Sequence, residues 1–385
     1  MQNKSDVVIV GAGILGLACA EQFARLGQSV TILDRHLPGA GQTTRTGGGI
    51  RLAHGSDLNI RLTLRSLPVW KQFSETFGVD PGFRETGHLF MTSKPEQIDS
   101  FQSQIALQNQ LGVNSDLLDR DQIVQRWPQL KSISASHALS CGIGGYLDHH
   151  QVVDGYMRKI LSMGVRMELG HRAERTIQEA GRVVGVETSR GEFLTQLVIN
   201  ATGPLAGHFT TQVGGRDPFV SRRYELIIVA PKKPVIDSTP WMIDVDRQVH
   251  LRPDGGERAL MGGFLGSDTA RDPQRFNKDY TDNWADQVRR VASTAFAVTE
   301  RDCPIVTGWA GLYPGTVDYL PVAEVTVPGM ITIAGLSGTG LMHAPAIAEI
   351  AWDLSTGSDT TWIDAKALSS ERFKSTEGQL ESTGF

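Results

Sequence analysis

The chain reads as a Rossmann-like α/β dinucleotide-binding domain interleaved with a second, α+β domain built on a mostly antiparallel sheet. Three observations predict this. The N-terminus carries a strand, a Gly-x-Gly-x-x-Gly turn, a helix and an acid-tipped strand. Glycine-rich strand ends recur at 10–16, 200–204 and 335–340, in the first, middle and last parts of the chain. The length, 385 residues, exceeds what one typical core supports, so two domains are expected. A discontinuous nucleotide domain with an inserted domain accounts for all three.

The first element is the apolar run Val7-Val8-Ile9-Val10, which ends in Gly11-Ala12-Gly13-Ile14-Leu15-Gly16. Gly11 allows the tight turn, Gly13 lets backbone approach a pyrophosphate, and Gly16 lets helix and strand pack closely. The helix, Leu15 to Leu26, starts where phosphates would sit, and Gly27 is placed to stop it. Val30-Thr31-Ile32-Leu33 then ends on Asp34, which lies 18 residues beyond Gly16, where a carboxylate can bind ribose hydroxyls. The motif alone leaves NAD and FAD both open.

A Gly/Thr-rich loop spans Gly39 to Gly55, and Asn59 to Phe77 reads as a helix interrupted or kinked at Pro68. A strand (His88 to Thr92) and helices near Pro95–Leu111 and Asp119–Arg126 follow, then a helix from His149 to Met163. Val165–Leu169, Arg182–Glu187 and Glu192–Ile199 alternate like strands of a meander with turns at Gly181 and Gly191. Strands are also expected at Arg222–Val229, Trp241–Ile243, Val249–Arg252 and Ala259–Gly263, with one helix near Asp279–Val298. Ile331–Gly335 is the last strand, and a helix from Leu341 to Leu354 follows it. The polar stretch from Ser369 to Phe385 is expected to be a mobile tail.

Composition narrows the function classes. A net charge of -5 offers no basic surface for nucleic acid. No apolar run approaches the ~18 residues of a membrane span. The first strand begins so close to Met1 that no leader is expected. Cys19, Cys141 and Cys303 lie far apart, which argues against a metal site, a dithiol pair and a disulfide framework, and suits a cytoplasmic protein.

Further motifs carry a family resemblance. Asn200-Ala201-Thr202-Gly203-Pro204, the run Gly308 to Asp318 and the loop Gly335 to Pro345 join the dinucleotide turn. Together they resemble the FAD-dependent D-amino-acid oxidase superfamily, in its sarcosine oxidase and glycine oxidase branch, with relatives in opine oxidation and proline dehydrogenation. The resemblance covers about residues 5–355. Flavin hydroxylases carry a Gly-Asp-Ala-type motif where this chain reads Ala334-Gly335-Leu336-Ser337, and disulfide reductases need a cysteine pair that is missing.

The resemblance implies an FAD-binding domain of residues 1–85, 143–215 and 308–368, and a substrate domain of 86–142 and 216–307. It implies FAD held without a covalent bond, because the attachment positions fall at Gly311 and near Thr46, and Cys303 lies short of one. The FAD contacts it implies are Gly11, Gly13, Ile14, Leu15, Gly16, Asp34, Arg35, Thr43, Thr44, Arg45, Thr46, Gly48 and Gly49 on the N-terminal side. Ala173 is expected at the adenine side, with Ala201, Thr202 and Gly203 in the middle and Gly335, Gly338, Thr339, Gly340, Leu341 and Met342 at the ring.

The reaction implied is oxidation of a C–N bond of a small amine or amino acid to an imine, with dioxygen or another acceptor taking the electrons. The enzyme would work alone or in a homo- or hetero-oligomer. Arg51, in Gly49-Ile50-Arg51-Leu52-Ala53-His54-Gly55, matches the family's carboxylate-gripping arginine, a role that suits a planar guanidinium. His54, His250 and Tyr313 are the other candidate catalytic or substrate-lining residues. The pattern departs from the family in three places. Tyr313 stands where glycine oxidases have an arginine, Met342 where monomeric sarcosine oxidases have a second cation, and Leu260 near their dioxygen-activating lysine. Arg252 is a candidate second cation, with a structural role the stronger reading. A dehydrogenase subunit passing electrons to another acceptor, a 2-hydroxy-acid oxidoreductase and a non-catalytic flavin-binding assembly protein are the alternatives.

Overall fold

In the computed structural model, which describes residues 4–270 and 272–374, two eight-stranded sheets carry the fold. The first is parallel at its centre. Lys4–Val10 lies between Val30–Asp34 and Gly191–Asn200, with Val7 opposite both Val30 and Leu197. Met330–Ala334 extends one side in parallel and Arg166–Leu169 the other. Val322–Val327 closes one edge antiparallel, and Ala173–Glu179 and Arg182–Thr188 form a hairpin on Gly191–Asn200. The central strands are nearly continuous apolar runs because helices cover them. Ile14–Arg25 and Gly340–Thr356 bury their apolar sides in the same core as Ile9, Ile32 and Ile333.

The second sheet runs in the order Ile305–Gly315, Val220–Val229, Ala259–Thr269, Val249–Pro253, Trp241–Asp244, His88–Thr92, His137–Cys141, Ser115–Asp119. All its pairings are antiparallel except Trp241–Asp244 with His88–Thr92. Helix Asp282–Ala295 packs on it through Trp284, Ala285, Val288 and Ala292, which share a core with Met242, Leu251 and Met261. The expected domain boundary at 308 falls inside strand Ile305–Gly315, which pairs with Val220–Val229 along its length. A two-stranded sheet, Gly49–Arg51 with Gly144–Tyr146, sets Arg51 opposite Gly144.

Several expectations need correction. Pro68 does not break its helix. Asp57–Lys71 runs through it, capped by Ser56, whose hydroxyl accepts from Asn59 N at 3.3 Å, and a separate short helix, Phe73–Phe77, follows. Arg166–Leu169 is not part of a meander; it pairs in parallel with Val30–Asp34, and the meander partner is the strand Ala173–Glu179. That strand escapes pattern reading because its pattern Ala-Glu-Arg-Thr-Ile-Gln-Glu leaves only Thr176 buried. The tail does not begin at Ser369. Ser370 hydrogen-bonds Glu324, and Arg372 forms an ion pair with the buried Asp318 at 2.7 Å. Residues 375–385 of the expected tail lie outside the described residues.

Candidate active site

Glycines shape one long cavity of about 580 Å³ along the C-terminal ends of the parallel strands. Gly11 has φ +110, and a Cβ there would stand 2.4 Å from the Ala201 carbonyl oxygen. Gly16 faces away from the cavity: a Cβ on it would meet Gly11 O at 1.9 Å, which is the close helix–strand packing the motif requires. Helix Ile14–Arg25 has Gly13 as N-cap, with no side-chain cap, and its first residues line the cavity. Helix Gly340–Thr356 also begins there without a side-chain cap. The cavity therefore has two helix N-termini, each favouring negative charge.

The candidate cofactor residues that line this cavity are Gly11, Gly13, Ile14, Leu15, Asp34, Arg35, Thr43, Arg45, Thr46, Ala173, Ala201, Thr202, Gly203, Gly335, Gly338, Gly340 and Leu341. Asp34 also braces the turn: Oδ2 accepts from Ala12 N at 2.7 Å and Oδ1 from His36 N at 2.8 Å. Thr43 accepts from Ile14 N at 3.0 Å. Arg35 donates to Gln274 at 2.8 Å, which brings a loop of the second sheet over the outer end. Arg45 donates to Ala310 O at 3.3 Å, and its own carbonyl accepts from Trp309 at 2.9 Å.

Thr44, Gly48, Gly49, Thr339 and Met342 do not line the cavity. Thr44 donates to Gly39 O and Thr339 to Leu336 O, so both hydroxyls hold loops in place. Gly49 makes room for the Trp241 indole, which a Cβ would meet at 3.0 Å, and Gly48 for the Leu147 carbonyl at 2.2 Å. The Met342 carbonyl accepts from Trp70 Nε1 at 3.1 Å. Gln42, which no motif marked, lines the cavity and accepts from Leu312 N at 2.6 Å.

At the inner end, Tyr313 joins the cavity to a wall of rings. Its ring lies 4.7 Å from Tyr224, and Tyr224 lies 5.0 Å from Phe264. Phe264 stands 6.0 Å from His250, His250 5.4 Å from Trp241, and Trp241 stacks on His88 at 5.7 Å. Trp241 Nε1 donates to His250 Nδ1 at 3.3 Å, which places the His250 proton on Nε2. Burial, then the charge of Arg252, pushes His250 down to about 3, so its imidazole is neutral at pH 7. Burial, reinforced by Tyr224, raises the Tyr313 phenol to about 12.

Arg51 is buried, 5.6 Å from the Phe90 ring centre, with Nη2 3.3 Å from His54 Nδ1. Its positive charge disfavours a proton on His54 and His88 and acts in the same direction on the Tyr313 phenol. Arg51, His54 and His250 lie behind the cavity wall, and Tyr313 is the one of the four candidates on it. Arg252 is structural: it donates to Gly47 O at 2.9 and 3.1 Å, pairs with Asp254 and lies over Tyr146. Leu260 is buried against Gly47, and Cys303 is buried in the second core, away from the cavity. Sequence reading missed Tyr224, Trp241, Phe264 and Thr63, which belong to no motif, and His343, which lies in the Gly335–Pro345 motif but was given no role; their contacts arise only through tertiary packing.

The cavity suits a dinucleotide: its volume, its glycine-lined turns and two open helix starts match a pyrophosphate flanked by two ring systems. Among the described residues no cluster of His, Cys, Asp or Glu is placed to hold a metal ion, and no helix is long and apolar enough to cross a membrane.

A family model described as FAD dependent oxidoreductase, DAO, matches residues 6–354. The chain belongs to this family and is an FAD-dependent oxidoreductase. Among similar proteins, sarcosine oxidase subunit beta of Rhodobacter capsulatus is 25% identical over 91% of this chain and 85% of its own length. FAD-dependent oxidoreductase domain-containing protein 1 of Xenopus laevis is 24% identical over 98% of this chain and 84% of its own. Among solved structures, L-proline dehydrogenase from P. horikoshii superposes with a TM-score of 0.88 at 25% identity, covering 97% of this chain and 99% of that one.

Proposed function

We propose that this enzyme oxidises the C–N bond of an amino acid or N-substituted amino acid to an imine. The observation that carries the reading is a buried arginine, Arg51, behind the wall of the cavity and near enough to Tyr313, which lines it, for the guanidinium charge to act on the phenol. The names of similar proteins support the substrate class: sarcosine oxidase and L-proline dehydrogenase both act on secondary amino acids.

When bound, FAD supplies a two-electron acceptor at N5 for the Cα hydrogen and its electron pair. The residues of this chain do the rest. Gly11, Gly13, Ile14, Leu15 and Asp34 would hold the pyrophosphate and ribose, and the helix start at Gly340 and Leu341 would favour negative charge on the reduced ring. Arg51 binds the substrate carboxylate, and Tyr313, His250 and the neighbouring rings exclude water around Cα. The amine binds neutral and supplies its lone pair to the forming C=N bond, so no side-chain base is required. The N–H proton leaves to solvent, and water hydrolyses the imine to an oxo acid and an amine.

Dioxygen is the acceptor in this reading. A second reading, a dehydrogenase subunit with another acceptor, is favoured by buried Leu260 where a dioxygen-activating lysine would stand. Three separate, buried, free cysteines suit a cytoplasmic setting. Anaerobic mixing with amino acids, N-methyl amino acids, cyclic imino acids and 2-hydroxy acids tests the proposal. Bleaching near 450 nm by an amino acid with rapid recovery in air is the expected result. Slow recovery selects the dehydrogenase, and bleaching by hydroxy acids alone overturns the C–N assignment.

A further inference from the structure

We infer that Arg51 is aimed by a buried hydrogen-bonded relay, His54–Thr63–His343, which ties it to the helix that begins at the cofactor cavity. The inference rests on the reading of Arg51 as the carboxylate anchor. None of the three relay residues lines the cavity, so they are positioning residues.

The relay joins three elements. His54 follows strand Gly49–Arg51, Thr63 lies in helix Asp57–Lys71, and His343 lies in the first turn of helix Gly340–Thr356. All three side chains are fully buried. Arg51 Nη2 is 3.3 Å from His54 Nδ1, His54 Nε2 is 3.3 Å from Thr63 Oγ1, and Thr63 Oγ1 is 2.8 Å from His343 Nε2.

The His54 ring also hydrogen-bonds the Arg51 backbone, so it holds both the head and the main chain of Arg51. The Thr63 hydroxyl is also 3.0 Å from Asn59 O, which only accepts, so its proton points there and His343 Nε2–H donates to Thr63. The His54 backbone is pinned as well: Gln108 donates to its carbonyl at 3.0 Å, and its N–H donates to Leu52 O at 2.8 Å. A second proton on His54 would set two cations together in a dry site. Burial and the Arg51 charge accordingly hold His54 neutral.

A charged anchor gains from this arrangement because carboxylate recognition by guanidinium is directional, and a small misplacement costs much of it. The test compares steady-state kinetics of the FAD-loaded enzyme for a free acid and its methyl ester, N-methylglycine and proline being the probes. Thr63→Val keeps shape and removes the hydroxyl. It is expected to raise KM for the acid roughly tenfold, with kcat within about twofold and KM for the ester unchanged. Thr63→Ser, which restores the hydroxyl, should return KM to the wild-type value. A structural role alone would move acid and ester together.

Equal acid KM in wild type and Thr63→Val overturns the relay, as does parallel loss for acid and ester. Arg51→Gln separates this failure from failure of the anchor. If Arg51→Gln leaves the acid KM unchanged, the anchor reading falls; if it raises it while Thr63→Val does not, only the relay falls. Should Thr63→Val fail to retain flavin, His343→Leu tests the far end by the same acid-to-ester comparison.

Discussion

Arg51 shows what a single side chain gains from its surroundings. It sits in a three-residue strand paired with Gly144–Tyr146, its head lies near Phe90, and its Nη2 lies 3.3 Å from His54 Nδ1. In water a guanidinium is satisfied by solvent. Here a substrate carboxylate would meet it in a low-dielectric site, where a charged hydrogen bond is stronger. Arg51→Met should therefore raise KM for a carboxylate substrate by about 2 kcal/mol, near thirtyfold, with flavin still bound. Steady-state kinetics and the flavin spectrum check both halves. Arg51 was legible because Gly-Ile-Arg-Leu-Ala-His-Gly forms a local motif. The ring wall was not, because Tyr224, Trp241 and Phe264 lie on three strands far apart in sequence.

At the scale of elements, the loop before helix Gly340–Thr356 is the most constrained part of the site. Gly338 has φ +90, and a Cβ on it would stand 2.5 Å from the Tyr313 ring. Backbone strain and a ring forced aside would act together in Gly338→Ala. The left-handed conformation alone costs about 1–2 kcal/mol, so FAD affinity should fall roughly tenfold. Titration of the apoprotein with FAD, read by quenching of flavin fluorescence, measures it; unchanged affinity would remove the loop from the cofactor site. Helices with caps and strong periodicity were legible to within a few residues, as His149–Ser162 and Gly340–Thr356 show. Short or half-exposed strands were not. Ser115–Asp119 and Ala173–Glu179 carry charges at intervals that mask a strand, and their neighbours in the sheet decide their conformation.

Two features act on the whole molecule. Arg372 reaches back to Asp318, whose carboxylate is 3% exposed, and also donates to Leu320 O, so the C-terminal segment is tied to the turn that follows the strand carrying Tyr313. Arg372→Ala would leave that carboxylate buried without its cation, a loss of about 3 kcal/mol. A lower urea midpoint with an unchanged slope is the expected readout. The second feature is a set of buried neutral imidazoles. His88 and His250 are pushed down to about 3 and His149 to about 4, in each case first by burial. In the unfolded chain these groups titrate near 6.5. Between 6.5 and those values the unfolded state binds more protons than the folded one. Stability from this source is complete above about pH 6.5 and is lost as pH falls, by up to about 1.4 kcal/mol per pH unit for each histidine. Thermal melting of the holoenzyme from pH 7.5 to 5 should show Tm dropping steeply below 6.5. A flat profile would mean that anionic or accepting partners stabilise the protonated rings in the folded state.

The dinucleotide turn follows from local sequence, because it rests on a short motif of residues adjacent in the chain, and the flavin class follows from that turn together with the motifs at 200–204, 308–318 and 335–345, whose family resemblance the match over residues 6–354 bears out. Gly16 needs only its own strand and helix to take up its role, whereas Gly11 also answers to the Ala201 carbonyl at the end of a distant strand. The inner end of the site depends on something else. Tyr313, Tyr224, His250 and Trp241 meet because strands of the second sheet lie side by side, and Arg51 is aimed by His54, Thr63 and His343, the last of which is 280 positions beyond Thr63. Such contacts leave no spacing to read. They are selected by burial and hydrogen-bond satisfaction in the folded core, and these operate only once distant elements have packed.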